Sequence, residues 1–230
     1  AGALDLLGLP RKNLLGVTMP GLGTTSGTRK NAELLCRALG ADFRELPVSQ
    51  ASHLMLSSTE HRAAQGTRSI DELLARLRES PELGDIALEN VQARLRTLTL
   101  FTLSNQECAL VVGTGDLSEK ALGWSTYNGD HISNYEVNAG VPKTLMQFLI
   151  RWVANERATT WSQGGDGQGL RELLFAILET PISPELLPPD AQGKIAQLTE
   201  GAIGPYELHD FFLYHLVRHG ARPTKVLDMT

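Results

Sequence analysis

The sequence predicts an α/β fold organised around a parallel sheet. Three observations carry the prediction: strand, helix, strand patterning over residues 14–48; an amphipathic helix over 87–105 leading into an apolar run at 108–112; and a glycine-flanked turn, Gly113-Thr114-Gly115, directly after that run. Strands that alternate with helices pack as parallel sheets with right-handed crossovers. In open sheets of this kind ligands bind beyond the carboxyl ends of the strands, which marks Thr114 and its neighbours before any motif is considered.

Residues 14–19 form the first apolar run, a buried strand ended by Pro20. The loop Gly21-Leu22-Gly23-Thr24-Thr25-Ser26-Gly27 follows, and Ala32, Leu35, Cys36 and Leu39 then recur at helical spacing up to Gly40. Phe43, Leu46 and Val48 mark a second strand. Residues 49–79 are polar and helical, with Ser69 and Glu72 spaced as a capping box. In the 87–105 helix, Asn90, Arg94 and Thr97 share a face beside the apolar stripe of Val91, Leu95 and Leu98. Residues 108–112 are apolar throughout, as in a strand covered on both faces. A helix begins near Asp116, a polar loop occupies 125–142, and helices are expected at 142–155, 169–179 and 205–219. With no internal repeat and no linker, residues 1–230 are expected to form a single domain.

Of the 230 residues, 42% are hydrophobic and 20% charged, enough for one domain with a full core. A net charge of −5 argues against nucleic acid or an anionic membrane as the main partner, since either requires a basic patch. No apolar run reaches the roughly 20 residues that span a bilayer, and no signal-peptide pattern is present. Cys36 and Cys108 belong to no metal or redox motif, which fits a cytoplasmic setting. His215 and His219 are four apart on a helix but lack a convergent carboxylate or cysteine, and read as packing residues. The opening at Ala1-Gly2 and the stop at Thr230, soon after Pro223 begins a helix, read as an interior piece of a longer chain.

Several residues could carry chemistry, each beside a plainer reading. Glu119 stands three after Asp116, so it either closes a capping box or offers a carboxylate to Mg²⁺ at a strand end. Lys143 follows Pro142 at the amino end of a helix, where the macrodipole disfavours a cation. It is either a solvated lysine or the partner of a bound anion such as a phosphate. Asn90 and Arg94 could together reach a phosphate, carboxylate or amide, while an ion pair with Glu89 or Glu82 would account for Arg94 alone. Trp124 and Tyr127 flank Ser125-Thr126, and the two rings either stack a flat cationic ring or pack a helix end. Asp130 reads as a turn former beside His131. Residues 162–167 have the letters of a phosphate loop but no preceding strand, and read as surface loop.

The order of these signals resembles the NAD synthetase family. Glu89-Asn90-Val91-Gln92-Ala93-Arg94-Leu95-Arg96 is similar to its helix motif. Residues 111–119, with Thr114 and Glu119, and then 121–127, ending in Trp124-Ser125-Thr126-Tyr127, resemble its strand-loop-helix block. Gly129-Asp130 and residues 137–144 continue in register, and Gly204-Pro205-Tyr206-Glu207-Leu208 with Asp210-Phe211 resembles a later block. The likeness covers residues 14–225 and lies nearest the glutamine-dependent branch.

The resemblance implies a Rossmann-like parallel-sheet fold of the adenine nucleotide alpha hydrolase (ATP pyrophosphatase) type. It implies a ligase that adenylates the nicotinate carboxylate of nicotinic acid adenine dinucleotide (deamido-NAD) with ATP, then lets ammonia displace AMP to give NAD. ATP and Mg²⁺ are then required, ammonia comes from a glutaminase domain in the parent chain, and a homo-oligomer is expected. The implied ATP contacts are Thr114, Lys143, Met19 at a strand end and Ser183 in the 181–183 loop. The implied deamido-NAD contacts are Asn90, Arg94, Glu119, Trp124, Ser125, Thr126 and Tyr127, with Glu119 also the metal ligand. Two departures stand out: the family's Ser-Gly-Gly-x-Asp-Ser loop and its lysine-bearing carboxyl-terminal segment fall outside these residues, so the 230 residues alone are expected not to turn over. A related amidotransferase of the same fold, or a non-catalytic scaffold, are the alternatives.

Overall fold

A computed structural model describes residues 1–165, 167–183, 185–188 and 199–229. In chain order the first half comprises α1 (Gly2–Leu6), β1 (Leu15–Thr18), α2 (Ser26–Leu39), β2 (Asp42–Glu45), α3 (Ser49–Ser58), α4 (Ile70–Glu79) and α5 (Ile86–Glu107). The second half comprises β3 (Val112–Gly113), α6 (Leu117–Leu122), β4 (Tyr135–Glu136), α7 (Lys143–Trp152), α8 (Ala158–Trp161), α9 (Gly167–Glu179), α10 (Thr199–Ile203), α11 (Tyr206–Leu213) and α12 (Pro223–Leu227). A π-helical turn extends α7 over Val153–Arg157, and another extends α11 over Tyr214–Arg218.

Strand pairing is parallel, as the alternation of strands and helices predicts. β1 pairs with β2, Leu15 opposite Asp42 and Thr18 opposite Glu45, with α2 as the crossover. β3 pairs with β4, Val112 opposite Tyr135 and Gly113 opposite Glu136, with α6 between them in sequence. Local chemistry sets these boundaries. The Thr25 hydroxyl accepts from Thr28 N to start α2, and Gly40 ends it in the left-handed region at φ 70°. β1 lies close on α2 because Gly16 has no Cβ; one built there would collide with Cys36 Sγ.

Four expectations need correction. β1 is half-buried rather than buried. β2 ends before Leu46, and Val48, 2% exposed, is instead the residue before α3. The apolar run at 108–112 is mostly not strand: α5 continues to Glu107, Cys108 turns left-handed at φ 50°, and Leu110 is 74% exposed. The Asn134 side chain accepts from Val111 N, so the ladder with β4 begins only at Val112. Finally, Ser69 does cap α4 by accepting from Glu72 N, but the Glu72 carboxylate takes Arg68 N instead of closing a box on Ser69.

Two apolar clusters hold the helices. Leu22, Leu56, Ala63, Ala64, Leu73, Leu77 and Leu88 knit the loop after β1 to α3, α4 and α5. Ala154, Ala158, Leu170 and Leu174, with Leu35 and Leu39 against them, pack α2 on the α7–α9 segment. His215 and His219 sit in a ring cluster, 4.6 Å from Phe211 and from Tyr214 respectively, between ring centres. Residues 163–165 are exposed, and Asp166 lies outside the described residues. Leu73 is fully buried in the first cluster, so Leu73→Ala is expected to lower unfolding free energy by about 2–5 kcal/mol. A chemical-denaturation change under 1 kcal/mol would show that this cluster does not hold the helices together.

Candidate active site

β3 ends at Gly113 and delivers Thr114 and Gly115 to the foot of α6. A Cβ at Gly113 would meet the Glu136 carboxylate across the strand pair, so the glycine lets that side chain lie over the strand end. Asp116 is the N-cap of α6, and the capping box with Glu119 is complete: Asp116 Oδ1 accepts from Glu119 N at 3.0 Å, and Glu119 Oε2 accepts from Asp116 N at 3.1 Å. Gly123, left-handed at φ 68°, ends α6 and turns the chain into Trp124. The backbone bond from Leu117 N to Val141 O, 3.0 Å, ties α6 to the residues that lead into α7.

The second oxygen of each capping carboxylate faces Lys143. Its Nζ lies 2.6 Å from Asp116 Oδ2 and 2.6 Å from Glu119 Oε1. Burial alone pushes the lysine pKa down, but the hydrogen bonds and charges of Asp116 and Glu119 outweigh it, and the net direction is upward. Lys143 is therefore charged across the physiological range. The same two carboxylates thus cap α6 and grip the first residue of α7, so the capping role of Glu119 is real and does not exhaust the residue. The Tyr206 ring covers the ammonium at 5.6 Å. Its own hydroxyl is buried without a hydrogen-bond partner among the described residues, and burial raises its pKa to about 12.

Two hollows of about 590 Å³ each open around this cluster. Thr114, Asn90, Trp124, Ser125 and Thr126 line the first; Lys143, Thr24 and Thr28 line the second. Met19, Arg96, Glu119, Ile182 and Ser183 line both, so the hollows are adjoining lobes of one cleft. Asn90 Oδ1 accepts from the Thr126 hydroxyl at 2.9 Å, and Ser183 Oγ accepts from Glu185 N at 3.1 Å. Arg94 and Tyr127 line neither lobe. Arg94 is exposed and donates to Tyr127 O at 3.1 Å rather than pairing with Glu82, while the Tyr127 ring, 72% exposed, stacks on His131 at 5.1 Å. Asp130 Oδ1 accepts from Thr126 N at 2.8 Å, a turn contact that shapes the Ser125-Thr126 wall.

Residues 1–229 match the NAD synthase family. The chain belongs to that family. The chain is 43% identical over 231 residues to the glutamine-dependent NAD(+) synthetase of Mycobacterium leprae, an alignment that covers all of this chain and 31% of that protein. The fold is that of solved synthetases: an NMN synthetase from Francisella tularensis (TM-score 0.63, 20% identity, 91% of this chain and 68% of that one) and a glutamine-dependent NAD+ synthetase from Acinetobacter baumannii in complex with ADP (TM-score 0.51, 19% identity, 93% and 31%). The parallel-sheet, ATP pyrophosphatase fold expected from the sequence is therefore the fold of this chain. It spans about a third of the length of its curated relative.

Sequence reasoning passed over four residues that build the site. Asp116 was legible only as a cap, although the side chain is 3% exposed and half of its carboxylate serves Lys143. Arg96, not Arg94, is the α5 arginine of the cleft: it donates to Met19 O at 3.1 Å, and burial pushes its pKa down. Gln92, four residues earlier, is fully buried and marks the inward face of α5, but that burial is not legible in the letters. Ser118 and Asp210 complete the set, both buried.

Tyr206 gives a direct check of the cluster. An absorbance titration of the four tyrosines is expected to contain one ionisation near 12, well above the ordinary 10.0, which disappears in Tyr206→Phe. Because the folded pKa is raised, the linked stabilisation is present below 10.0 and lost as pH climbs through about 12. Four indistinguishable tyrosines would mean that the ring is not buried against Lys143.

Proposed function

We propose that the protein containing this chain makes NAD from deamido-NAD, ATP and ammonia. The observation that carries the reading is the cleft itself. A charged lysine, the Glu119 carboxylate it pairs with and a strand-end threonine line one lobe system, with the buried Asp116 holding the lysine, in a chain whose whole length is 43% identical to a glutamine-dependent NAD(+) synthetase. ATP suits this cleft because Lys143 sits at the first position of α7, where its ammonium and the positive end of the helix macrodipole both favour phosphate oxygens. The relative from A. baumannii, with ADP bound, supports an adenine nucleotide as ligand.

Under this reading Met19, Thr114, Lys143 and Ser183 contact ATP. Asn90, Trp124, Ser125 and Thr126 line the deamido-NAD lobe, and Arg94, outside the lining, holds the chain at Tyr127 through the Tyr127 carbonyl. The nicotinate carboxylate oxygen attacks the α-phosphorus, the bond to the bridging oxygen breaks, and pyrophosphate leaves. Ammonia then attacks the acyl carbon, AMP departs with its electron pair, and a proton passes to solvent. Lys143 holds phosphate charge through both steps. Glu119, which lines both lobes, would offer Mg²⁺ one of the one or two carboxylates that this ion uses when phosphates supply the rest. Bound there, magnesium would neutralise phosphate charge and improve the leaving group.

Glutamine as the ammonia source, through a glutaminase domain in the parent protein, follows the M. leprae relative, and residues 1–230 form the ligase domain. A homo-oligomer is supported by the face of α7 that carries Leu145, Phe148, Leu149 and Trp152, each more than 40% exposed. No helix among the described residues is long and apolar enough to cross a membrane, and free thiols at Cys36 and Cys108 support a cytoplasmic setting. A mononucleotide substrate is the second reading, favoured by the fold match to the F. tularensis NMN synthetase.

The test is pyrophosphate release from ATP by the full-length protein. Release is expected to require deamido-NAD, with nicotinic acid mononucleotide a poor substitute; release that ignores both dismisses the NAD reading. Lys143→Ala is expected to lower kcat/KM for ATP on the order of a hundredfold without unfolding the protein. Unchanged ATP kinetics would return Lys143 to a structural ion pair.

A further inference from the structure

Helix α7 is capped by residues from outside its own segment. Its N-cap is Pro142, which offers no side-chain acceptor, so the first amides of α7 need partners elsewhere. They find them on α6 and α11. Lys143 N donates to Ser118 Oγ at 2.9 Å. Thr144 donates to Asp210 Oδ2 twice, from its backbone N at 2.8 Å and its hydroxyl at 2.7 Å. The Ser118 hydroxyl in turn donates to Asp210 Oδ1. One carboxylate, 6% exposed, thus gathers both leading residues of α7, one of them through a serine that is fully buried.

This placement also answers the unfavourable position of Lys143. A carboxylate at a helix N-terminus complements the macrodipole, and hydrogen bonds to an ionised acceptor are about twice as strong as neutral ones. Asp210 lies one turn beyond Tyr206 on the same face of α11, so a single helix supplies both the ring over the ammonium and the cap beneath its backbone. Asp116 and Glu119 hold the far end of the side chain. The lysine is fixed at its backbone by Asp210 and Ser118, and at its tip by the two carboxylates of α6.

We propose that Asp210, with Ser118 as relay, is a positioning residue for Lys143, setting where the ammonium meets the phosphates of ATP. This assignment rests on the ATP reading of Lys143. A carboxylate that merely tied three helices together would lower the melting temperature and leave the ATP parameters alone.

The experiment is a double-substitution cycle in the full-length protein, assayed below the melting temperature of every variant. Asp210→Asn is expected to raise KM for ATP by roughly tenfold with a much smaller fall in kcat, and Ser118→Ala to do the same more mildly. In a Lys143→Ala background neither substitution adds a further loss, because both act through that side chain. Amide hydrogen exchange at residues 143 and 144 is expected to accelerate in Asp210→Asn. Fully additive losses, or an unchanged KM with a lowered melting temperature, overturn the proposal while leaving wild-type activity as evidence for the NAD reading. A wild type that neither binds nor consumes ATP removes the reading of Lys143 and this proposal with it. If Asp210→Asn does not fold, Ser118→Ala decides alone.

Discussion

The ammonium of Lys143 is held between two carboxylates that are themselves the caps of the neighbouring helix. Each of Asp116 and Glu119 divides its oxygens, one to a backbone amide of α6 and one to the lysine. Asp116 is the deeply buried member, 3% exposed, while Lys143 and Glu119 keep an exposed edge toward the cleft. The cluster carries more negative than positive charge, so a cation or a set of donors can still be accommodated beside it. Around this arrangement the amino ends of α6 and α7 are locked at a common point, and that point is the rim of the cleft.

The surrounding fold serves to bring that rim together. β3 is only two residues long, yet its end places Thr114 and Asp116 opposite the Pro142 turn. β1 ends at Thr18, and the Met19 carbonyl is then taken by Arg96 of α5, which joins the β1–β2 pair to the cleft from the other side. Gln92, on the same helix, anchors the loop after β1 by accepting from Leu22 N at 2.7 Å and donating to Leu186 O at 2.7 Å. Three chain segments that are distant in sequence therefore meet at the carboxyl ends of parallel strands, where this class of sheet keeps its ligands.

Much of this was legible in the letters, and the exceptions share a cause. Lys143 stands out because a cation at the start of a helix contradicts local preference, and the folded chain places it between two carboxylates at the edge of the cleft. Its resolution was not legible: the capping carboxylate for Thr144 comes from 66 positions away, beyond any local pattern. Asp116 and Glu119 were legible as a cap, but spacing cannot reveal what the spare oxygens face. The apolar run at 108–112 misled because apolar letters report a preference for burial without saying what covers them, and the left-handed Cys108 spends its first residue on ending α5. Arg94 was favoured over Arg96 by its face-sharing with Asn90, while the inward direction of α5 was set by Gln92, whose burial only the folded chain reveals.

The most direct measurement is a structure of the full-length protein with ATP and magnesium bound. The account predicts that ATP phosphates lie against the start of α7, with Lys143 Nζ within hydrogen-bond distance of a phosphate oxygen and Glu119 turned toward the metal. ATP seated elsewhere, with the ammonium still locked between Asp116 and Glu119, would contradict it.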